Sequence, residues 1–343
     1  MRKIKDGIVF SNDIERILRG NNAINFDYEE RGLVIPKDNT IDVLRDSFRE
    51  DVNRIFNNKV SIVEENEMLA YLFGSILDVY RKYPIVSLDS VYLEPDDRDI
   101  LFLDCTRLNG SKDLVSRIRP DDDGSVKRQI RAISERLIKD KNRRIVLADD
   151  VVFSGSVLKS VSDEFKKNGI DVVGVRSAIS TREGYDFFSR LPLGIKCGCL
   201  LESDVIDQIC ERDFYFGVAQ SGISIKKEDR VYKAPYFEPY GDPVERASIP
   251  SDYSDTFSRN CIVRSLALWK RIEKLSGREI LVRDLPEVIQ NTNGAEYVVL
   301  LVGFVIVLSV SIVKVKVGSI REKLYEKPAI IYYGLMALLF LVT

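Results

Sequence analysis

Residues 145–177 constrain the fold more strongly than any other part of the sequence. They begin with an apolar run over 145–148, which is typical of a buried strand. A helical pattern follows over 157–168 and ends at Gly169, a favourable residue after a helix. A second apolar run, 170–177, completes a strand–helix–strand unit. Because such a unit places its two strands parallel in one sheet, we predict an α/β fold.

Two carboxylates and a turn of small residues join that first strand to the helix. Asp149 and Asp150 follow the strand, and Ser154, Gly155 and Ser156 open the helix. Ligands of open α/β sheets bind at the carboxyl ends of strands, and helix N-termini bind anions. Carboxylates accept hydrogen bonds from sugar hydroxyls and suit Mg²⁺. The pattern indicates a site for a phosphorylated sugar; the alternative is a plain strand-to-helix turn capped by an Asp or Ser.

Residues 145–158, IVLADDVVFSGSVL, resemble the motif that binds 5-phosphoribosyl-1-pyrophosphate (PRPP) in type I phosphoribosyltransferases. The resemblance implies a phosphoribosyltransferase-like parallel sheet flanked by helices. It also implies that Asp149 and Asp150 are catalytic, hold the ribose 2- and 3-hydroxyls and contact Mg²⁺ indirectly. The same resemblance assigns the 5-phosphate to the loop residues Phe153, Ser154, Gly155, Ser156 and Val157.

Two loop positions depart from the family pattern. Phe153 stands where many members have Thr and where the hypoxanthine-guanine enzymes have a catalytic Asp, which argues against a purine enzyme with that base. An aromatic residue there is similar to the pyrimidine-operon regulators that have uracil phosphoribosyltransferase activity. Val157 replaces a usual Thr or Ser, and the lost hydrogen bond costs about 0.5–1.5 kcal/mol, so PRPP binding is weakened rather than excluded.

The implied reaction transfers phosphoribose from PRPP to a nitrogen acceptor, a nucleobase or a related compound, with release of pyrophosphate. Mg²⁺ is the implied cofactor. The chain contains no histidine, which excludes Ser-His-Asp and Cys-His hydrolases and His-ligated metal sites but leaves this chemistry intact. One alternative is a non-catalytic nucleotide- or PRPP-sensing module on the same fold, tethered to a membrane. Another is a membrane-anchored interaction protein with a degenerate site.

A polar, basic stretch over 106–124 is predicted to be a long mobile loop. In the family, loops of this kind place backbone amides and basic side chains on the pyrophosphate. The candidates for that contact are Arg107, Asn109, Gly110 and Lys112, with Arg117 and Arg119 further along. A solvated charged loop without a ligand is the equal alternative.

The rest of the sequence pattern predicts two regions before the hydrophobic C-terminal runs. Residues 1–60 are predicted to form a helical N-terminal extension. Residues 61–290 are predicted to form the phosphoribosyltransferase-like domain, with 185–290 as its C-terminal subregion. Within it we predict two strands, 85–93 and 99–105, that are candidates for a hairpin, and helices over 64–83, 125–140 and 257–275.

The chain ends in two hydrophobic runs, 297–313 and 329–343, joined by a short basic connector. They predict a membrane-associating hairpin over 297–343 that holds a cytoplasmic domain at a bilayer, although both runs are short for a span. Buried strands, a buried helix pair or an oligomer interface are the alternatives.

Charge and cysteine content bear on partners and compartment. The 51 basic and 53 acidic residues give a net charge of −2, which provides no reason to expect general nucleic-acid binding. Five irregularly spaced cysteines indicate reduced intracellular thiols. The resemblance implies PRPP and a small-molecule nitrogen acceptor as partners, and the hydrophobic runs predict a membrane as a further partner. The oligomeric state stays open, with a homo-oligomer among the options.

Overall fold

A seven-stranded parallel sheet organises this protein, as seen in a computed structural model. The structure describes residues 1–20, 27–93, 99–107, 114–115, 125–227, 230–281 and 284–285. The strands are β1 Arg2–Ser11, β2 Val60–Val63, β3 Ile85–Ser87, β4 Ile100–Phe102, β5 Thr106–Arg107, β6 Leu114–Val115, β7 Arg144–Val152, β8 Asp171–Thr181, β9 Ile195–Cys210, β10 Ile223–Lys227 and β11 Arg230–Ala234. The helices are α1 Ile14–Leu18, α2 Thr40–Ile55, α3 Glu65–Ile76, α4 Ser125–Lys139, α5 Ser156–Lys167, α6 Arg182–Phe188, α7 Pro243–Ala247 and α8 Ser251–Ser276.

The strand order in the main sheet is β2-β1-β9-β8-β7-β3-β4, and every neighbouring pair is parallel. Two antiparallel pairs, β5 with β6 and β10 with β11, lie outside that sheet. The prediction of an α/β fold with a parallel sheet and flanking helices is therefore confirmed. All seven strands end at the same edge, and their following loops meet there.

Helices bury the central strands. α4 and α5 contribute Ile130, Leu137, Val161 and Phe165 to a core that includes Leu147 of β7. α3 packs against β8 and β9. β8 is buried over nearly its whole length, as expected for a parallel strand that is covered on both faces.

The central elements agree with the periodicity of the sequence. β7, α5 and β8 form the predicted unit, with Ile145 paired in register to Val172. α4 matches its predicted range closely. α8 begins six residues before its predicted start, at Ser251, and α3 begins close to its predicted start but ends at Ile76. β7 is longer than predicted because it continues through the two aspartates to Val152.

Two predictions about the sheet are wrong. β3 and β4 do not form a hairpin, because Ile85 pairs with Ile100 in a parallel ladder. Residues 1–60 are not a helical extension, because β1 lies inside the sheet between β2 and β9. The apolar end of β1, Ile8 to Phe10, is completely buried. The charged residues at its start hide this strand in the sequence pattern.

The remaining predictions concern the membrane hairpin, the loop over 106–124 and the cysteines. Within the described residues, no helix is long and apolar enough to cross a bilayer. The predicted membrane hairpin, 297–343, lies outside those residues, so it stays a prediction. Most of the predicted loop over 106–124 also lies outside them, although β5 and β6 pair within it. All five cysteines are buried free thiols.

Substitutions at two glycines test how closely α3 packs on β9. A Cβ on Gly198 would lie 2.6 Å from the Cα of Tyr71 in α3, whereas a Cβ on Gly74 would have nothing within 4 Å. We predict that Gly198→Ala lowers the free energy of unfolding by about 1–3 kcal/mol, because the helix has to move away from the sheet. The matched change Gly74→Ala should raise it by about 0.5–1 kcal/mol through helix propensity. Urea denaturation of both variants measures this, and equal effects would contradict the packing.

Candidate functional site

The candidate site lies where the sheet changes its direction of winding. β3 leads to β4 on one side, and its neighbour β7 leads to β8 on the other. The carboxyl ends of two such strands leave a crevice that is the usual ligand site of open α/β sheets. A cleft of about 440 Å³ opens there, and Asp149, Asp150 and the 153–157 loop line it.

The two aspartates belong to the last part of β7. Both carboxylates are partly buried. The backbone N–H of Asp150 donates to Asp149 Oδ1 at 3.1 Å, and that of Val151 donates to Asp150 Oδ1 at 2.7 Å. These contacts hold both acids at the mouth of the cleft, where they can accept hydrogen bonds from a ligand.

The loop after β7 delivers a helix N-terminus to the same cleft. Gly155 is the residue before α5; it has a φ of 74° and provides no side-chain cap. A Cβ at this position would lie 2.5 Å from Cε2 of Phe188, so both backbone and space require glycine. Because the first amides of a helix have no partner within it, the start of α5 can bind an anion.

The aromatic residue of the loop lies at the surface. The side chain of Phe153 is 45% exposed. Its carbonyl accepts a hydrogen bond of 3.0 Å from the hydroxyl of Thr181, at the end of β8. This contact ties the loop to the neighbouring strand end, and the Phe153 ring is left to line the entrance of the cleft.

The predicted pyrophosphate contacts are only partly located. Arg107 lies in β5, and its side chain is not among those described. Asn109, Gly110 and Lys112 lie outside the described residues, as do Arg117 and Arg119. Their assignment therefore stays a prediction.

Arg212, which the sequence pattern does not identify as a site residue, connects the ends of three strands. Arg212 follows β9, and its Nη1 contacts Asp13 Oδ2, after β1, at 2.6 Å. Its Nη2 contacts Asp150 Oδ2, in β7, at 3.3 Å. The backbone N–H of Arg212 also donates to Asp13 Oδ1 at 2.9 Å. One guanidinium thus positions one of the two candidate ribose ligands.

Because this cluster is buried, the ionisation of each of its members depends on the charges of the others. Burial raises the pKa of Asp13 to about 7, while the charge of Arg212 opposes that shift. Burial also acts to lower the pKa of Arg212, but the charges of Asp13 and Asp150 outweigh it and hold that pKa well above its usual value. Asp13 therefore needs Arg212 to stay ionised near neutral pH.

A third strand end contributes Asp89, two residues after β3. Its carboxylate accepts hydrogen bonds of 2.7–2.9 Å from the backbone N–H groups of Val91, Tyr92 and Leu93. Burial and the charge of Asp150 raise its pKa to about 6, and the three amides oppose the shift. Asp89 shapes the loop that borders the acidic pair.

A signal for the missed acids exists in the sequence. Residues 8–13, 85–89 and 145–150 each begin with Ile-Val and end with Asp after two or three further residues. In a parallel sheet, three strands that end in this way bring their acids to one edge. Arg212 has no comparable signal, because it follows a strand whose polar residues obscure its pattern.

The cleft is acidic overall. Among its described lining residues are the acids Asp149, Asp150, Asp207, Asp213 and Glu245 against the bases Arg212 and Arg246. No group of three His, Cys, Asp or Glu side chains within the described residues is arranged to hold a metal ion. The cleft can therefore favour a cation that arrives with a ligand, rather than enclose one by itself.

Comparisons with known proteins leave the chain without an assigned family. No protein-family model matches it, and no curated protein matches it. A solved structure, orotate phosphoribosyltransferase from Aeropyrum pernix, aligns over 39% of this chain and 70% of its own, with 10% identity and a TM-score of 0.21. Because the identity and the score are both low, this likeness assigns neither fold nor function here.

The Arg212 cluster predicts a large, non-additive effect on stability. Arg212→Met should lower the free energy of unfolding by about 3–5 kcal/mol, because it leaves Asp13 buried without its cation. In the double variant Asp13→Asn/Arg212→Met the loss should be smaller than the sum of the two single losses. Chemical denaturation of the three variants measures this; additive losses would show that the two groups are not coupled.

Proposed function

We propose that this protein binds PRPP with Mg²⁺ and transfers its phosphoribosyl group to a nitrogen acceptor, on a phosphoribosyltransferase-like fold. One observation carries the proposal: Asp149, Asp150 and the start of α5 line a single cleft at the switch between β3 and β7. A sugar phosphate needs hydroxyl acceptors and an anion site side by side, and this cleft offers both.

The proposed roles follow from the chemistry of each group. Asp149 and Asp150 accept hydrogen bonds from the ribose 2- and 3-hydroxyls. The backbone amides at the start of α5 hold the 5-phosphate, together with the hydroxyls of Ser154 and Ser156. As the bond from C1 to pyrophosphate breaks, positive charge grows on the ribose, and the two nearby carboxylates stabilise it. None of these steps needs histidine.

Magnesium fits this site as a companion of the substrate. Asp149 and Asp150 provide hard oxygen atoms, but two carboxylates do not fill the octahedral shell that Mg²⁺ requires. When bound, the ion would neutralise the pyrophosphate leaving group. The acidic lining of the cleft makes that neutralisation necessary, because free PRPP would meet carboxylates on several sides.

The acidic pair provides the first test. We predict that Asp149→Asn/Asp150→Asn weakens PRPP binding at least about tenfold, because charge-assisted hydrogen bonds to the ribose are lost. Titration calorimetry in Mg²⁺ measures this. The matched control Asp163→Asn changes an exposed residue of α5 that pairs with Lys159 and is not among the described residues that line the cleft, so it should leave binding unchanged.

A second variant keeps the site testable if the double variant does not fold. Ser154 is exposed in the loop, so Ser154→Asp adds a negative charge at the proposed phosphate site without disturbing the core. PRPP binding should fall by a similar factor. Ser251→Asp makes the same change at the exposed start of α8, outside the cleft, and should have no effect. Full PRPP binding in both folded cleft variants would refute the site.

The charge of the cleft predicts a strict metal requirement. Removal of Mg²⁺ with EDTA should abolish PRPP binding, because the acidic lining repels the free pyrophosphate group. Readdition of Mg²⁺ should restore it. Calorimetry with and without the ion measures this, and equally tight binding in EDTA would contradict the proposed role of the metal.

The ion pair of Asp150 with Arg212 favours a second candidate function, a non-catalytic PRPP or nucleotide sensor. This carboxylate already has a cationic partner at 3.3 Å, which competes with a ribose hydroxyl for its lone pairs. A screen of nucleobases with PRPP and Mg²⁺, read by pyrophosphate release, separates the two functions. Release with any base supports the transferase, whereas PRPP binding without release from any base supports the sensor.

A further inference from the structure

A second cleft, of about 450 Å³, lies at the carboxyl ends of β1 and β2. It shares none of its described lining residues with the cleft at β7. Residues from α1, α2 and the start of α3 form its walls, and Asn12, at the end of β1, lies between them. Its volume is in the range of small-molecule sites.

Charged side chains of both signs line this second cleft. Arg16 lies in α1 and Arg19 directly follows it, and Glu64 and Glu65 lie at the start of α3. Glu15, which also lines the cleft, is paired with Arg19 at 2.8 Å. Arg45, from α2, is paired with the buried Glu211 at 3.2 Å. With three arginines and three glutamates the described lining is neutral overall.

Asn12 is a buried polar side chain in this cleft, and its hydrogen-bonding capacity is only partly used among the described residues. Its side-chain amide donates to Glu64, which fixes the amide nitrogen at that carboxylate. Its Oδ1 is buried and has no hydrogen-bond partner among the described residues, although Asn12 is only 1% exposed. An unpaired buried acceptor is costly, so a ligand that donates a hydrogen bond here is favoured.

Arg16 of α1 and Glu65 of α3 form a long ion pair in the cleft. Arg16 Nη1 and Glu65 Oε1 lie 3.7 Å apart, which is longer than a charge-assisted hydrogen bond. Both side chains are partly exposed to the cleft. A ligand with charges of both signs can therefore place its cation on Glu65 and its anion on the arginines, in shorter contacts than Arg16 and Glu65 make with each other.

We propose that this second cleft binds a zwitterion of the α-amino-acid class. The ammonium group of the ligand donates to Asn12 Oδ1 and to Glu65, which are both acceptors. Its carboxylate contacts Arg16 and Arg19. A lone cation would engage the acceptors but not the arginines, and a lone anion would leave Asn12 Oδ1 without a donor. The overall neutral lining favours a ligand without net charge.

Calorimetry on the full chain tests the proposal, with the protein amino acids as probes, one at a time. We expect at least one amino acid to bind. Its amine analogue without the carboxylate, and its acid analogue without the ammonium, should each bind at least about tenfold more weakly, because each loses one charge-assisted contact. Absence of binding by every amino acid, or equal binding of the amine, would overturn the proposal.

Variants locate the binding. Glu65→Gln removes a charge and keeps the size of the side chain, whereas Arg19→Gln removes a charge and shortens the side chain. Each should weaken binding of the amino acid about tenfold. Glu50→Gln and Arg54→Gln make the same changes on α2, outside the cleft, and should leave the affinity unchanged. Asp149→Asn/Asp150→Asn should also keep it, which makes the result independent of PRPP binding. Unchanged affinity in both cleft variants would refute this location.

Discussion

The ion cluster around Arg212 is the interaction on which the candidate site depends. One guanidinium holds Asp13 after β1 and Asp150 in β7, so it ties together the ends of three strands, including β9, which precedes it. Charges taken out of water are costly, and they persist in a protein only when they are paired. The carboxylate of Asp150 is therefore held by a residue more than sixty positions away along the chain.

The parallel sheet explains why such a cluster forms at all. All seven strands end at one edge, so each polar residue that follows a strand meets the polar residues of its neighbours. Asp13, Asp89 and Asp150 arrive there from β1, β3 and β7. Burial and, after it, the charge of Asp150 raise the pKa of Asp89, and the charge of Arg212 opposes the rise in the pKa of Asp13 on the side of β1.

The β7–α5–β8 unit could be predicted from sequence because its pattern is local. Four apolar residues, two aspartates, a small-residue turn and an amphipathic helix are contiguous, and each has a propensity that matches its structure. β1 and β9 were missed because both mix charged residues into strands that only their neighbours stabilise. Which strands become neighbours depends on long-range packing, and no local pattern encodes the meeting of Arg212 with Asp150.

The two clefts are similar in their position and in their lining. Each lies at the end of buried strands and carries both carboxylates and arginines. In the β7 cleft an uncapped helix N-terminus adds an anion site. At the second cleft, Glu64 and Glu67 cap the start of α3 instead, so its polarity comes from side chains. This difference in helix capping is one reason to propose a phosphate site in the first cleft and not in the second.

A crystal structure of the full chain with PRPP and Mg²⁺ would locate the ligand. We expect density for the 5-phosphate against the backbone amides at the start of α5, and the ribose hydroxyls within hydrogen-bond distance of Asp149 and Asp150. PRPP bound elsewhere on the protein, or bound in this cleft with its phosphate away from α5, would contradict the proposed site.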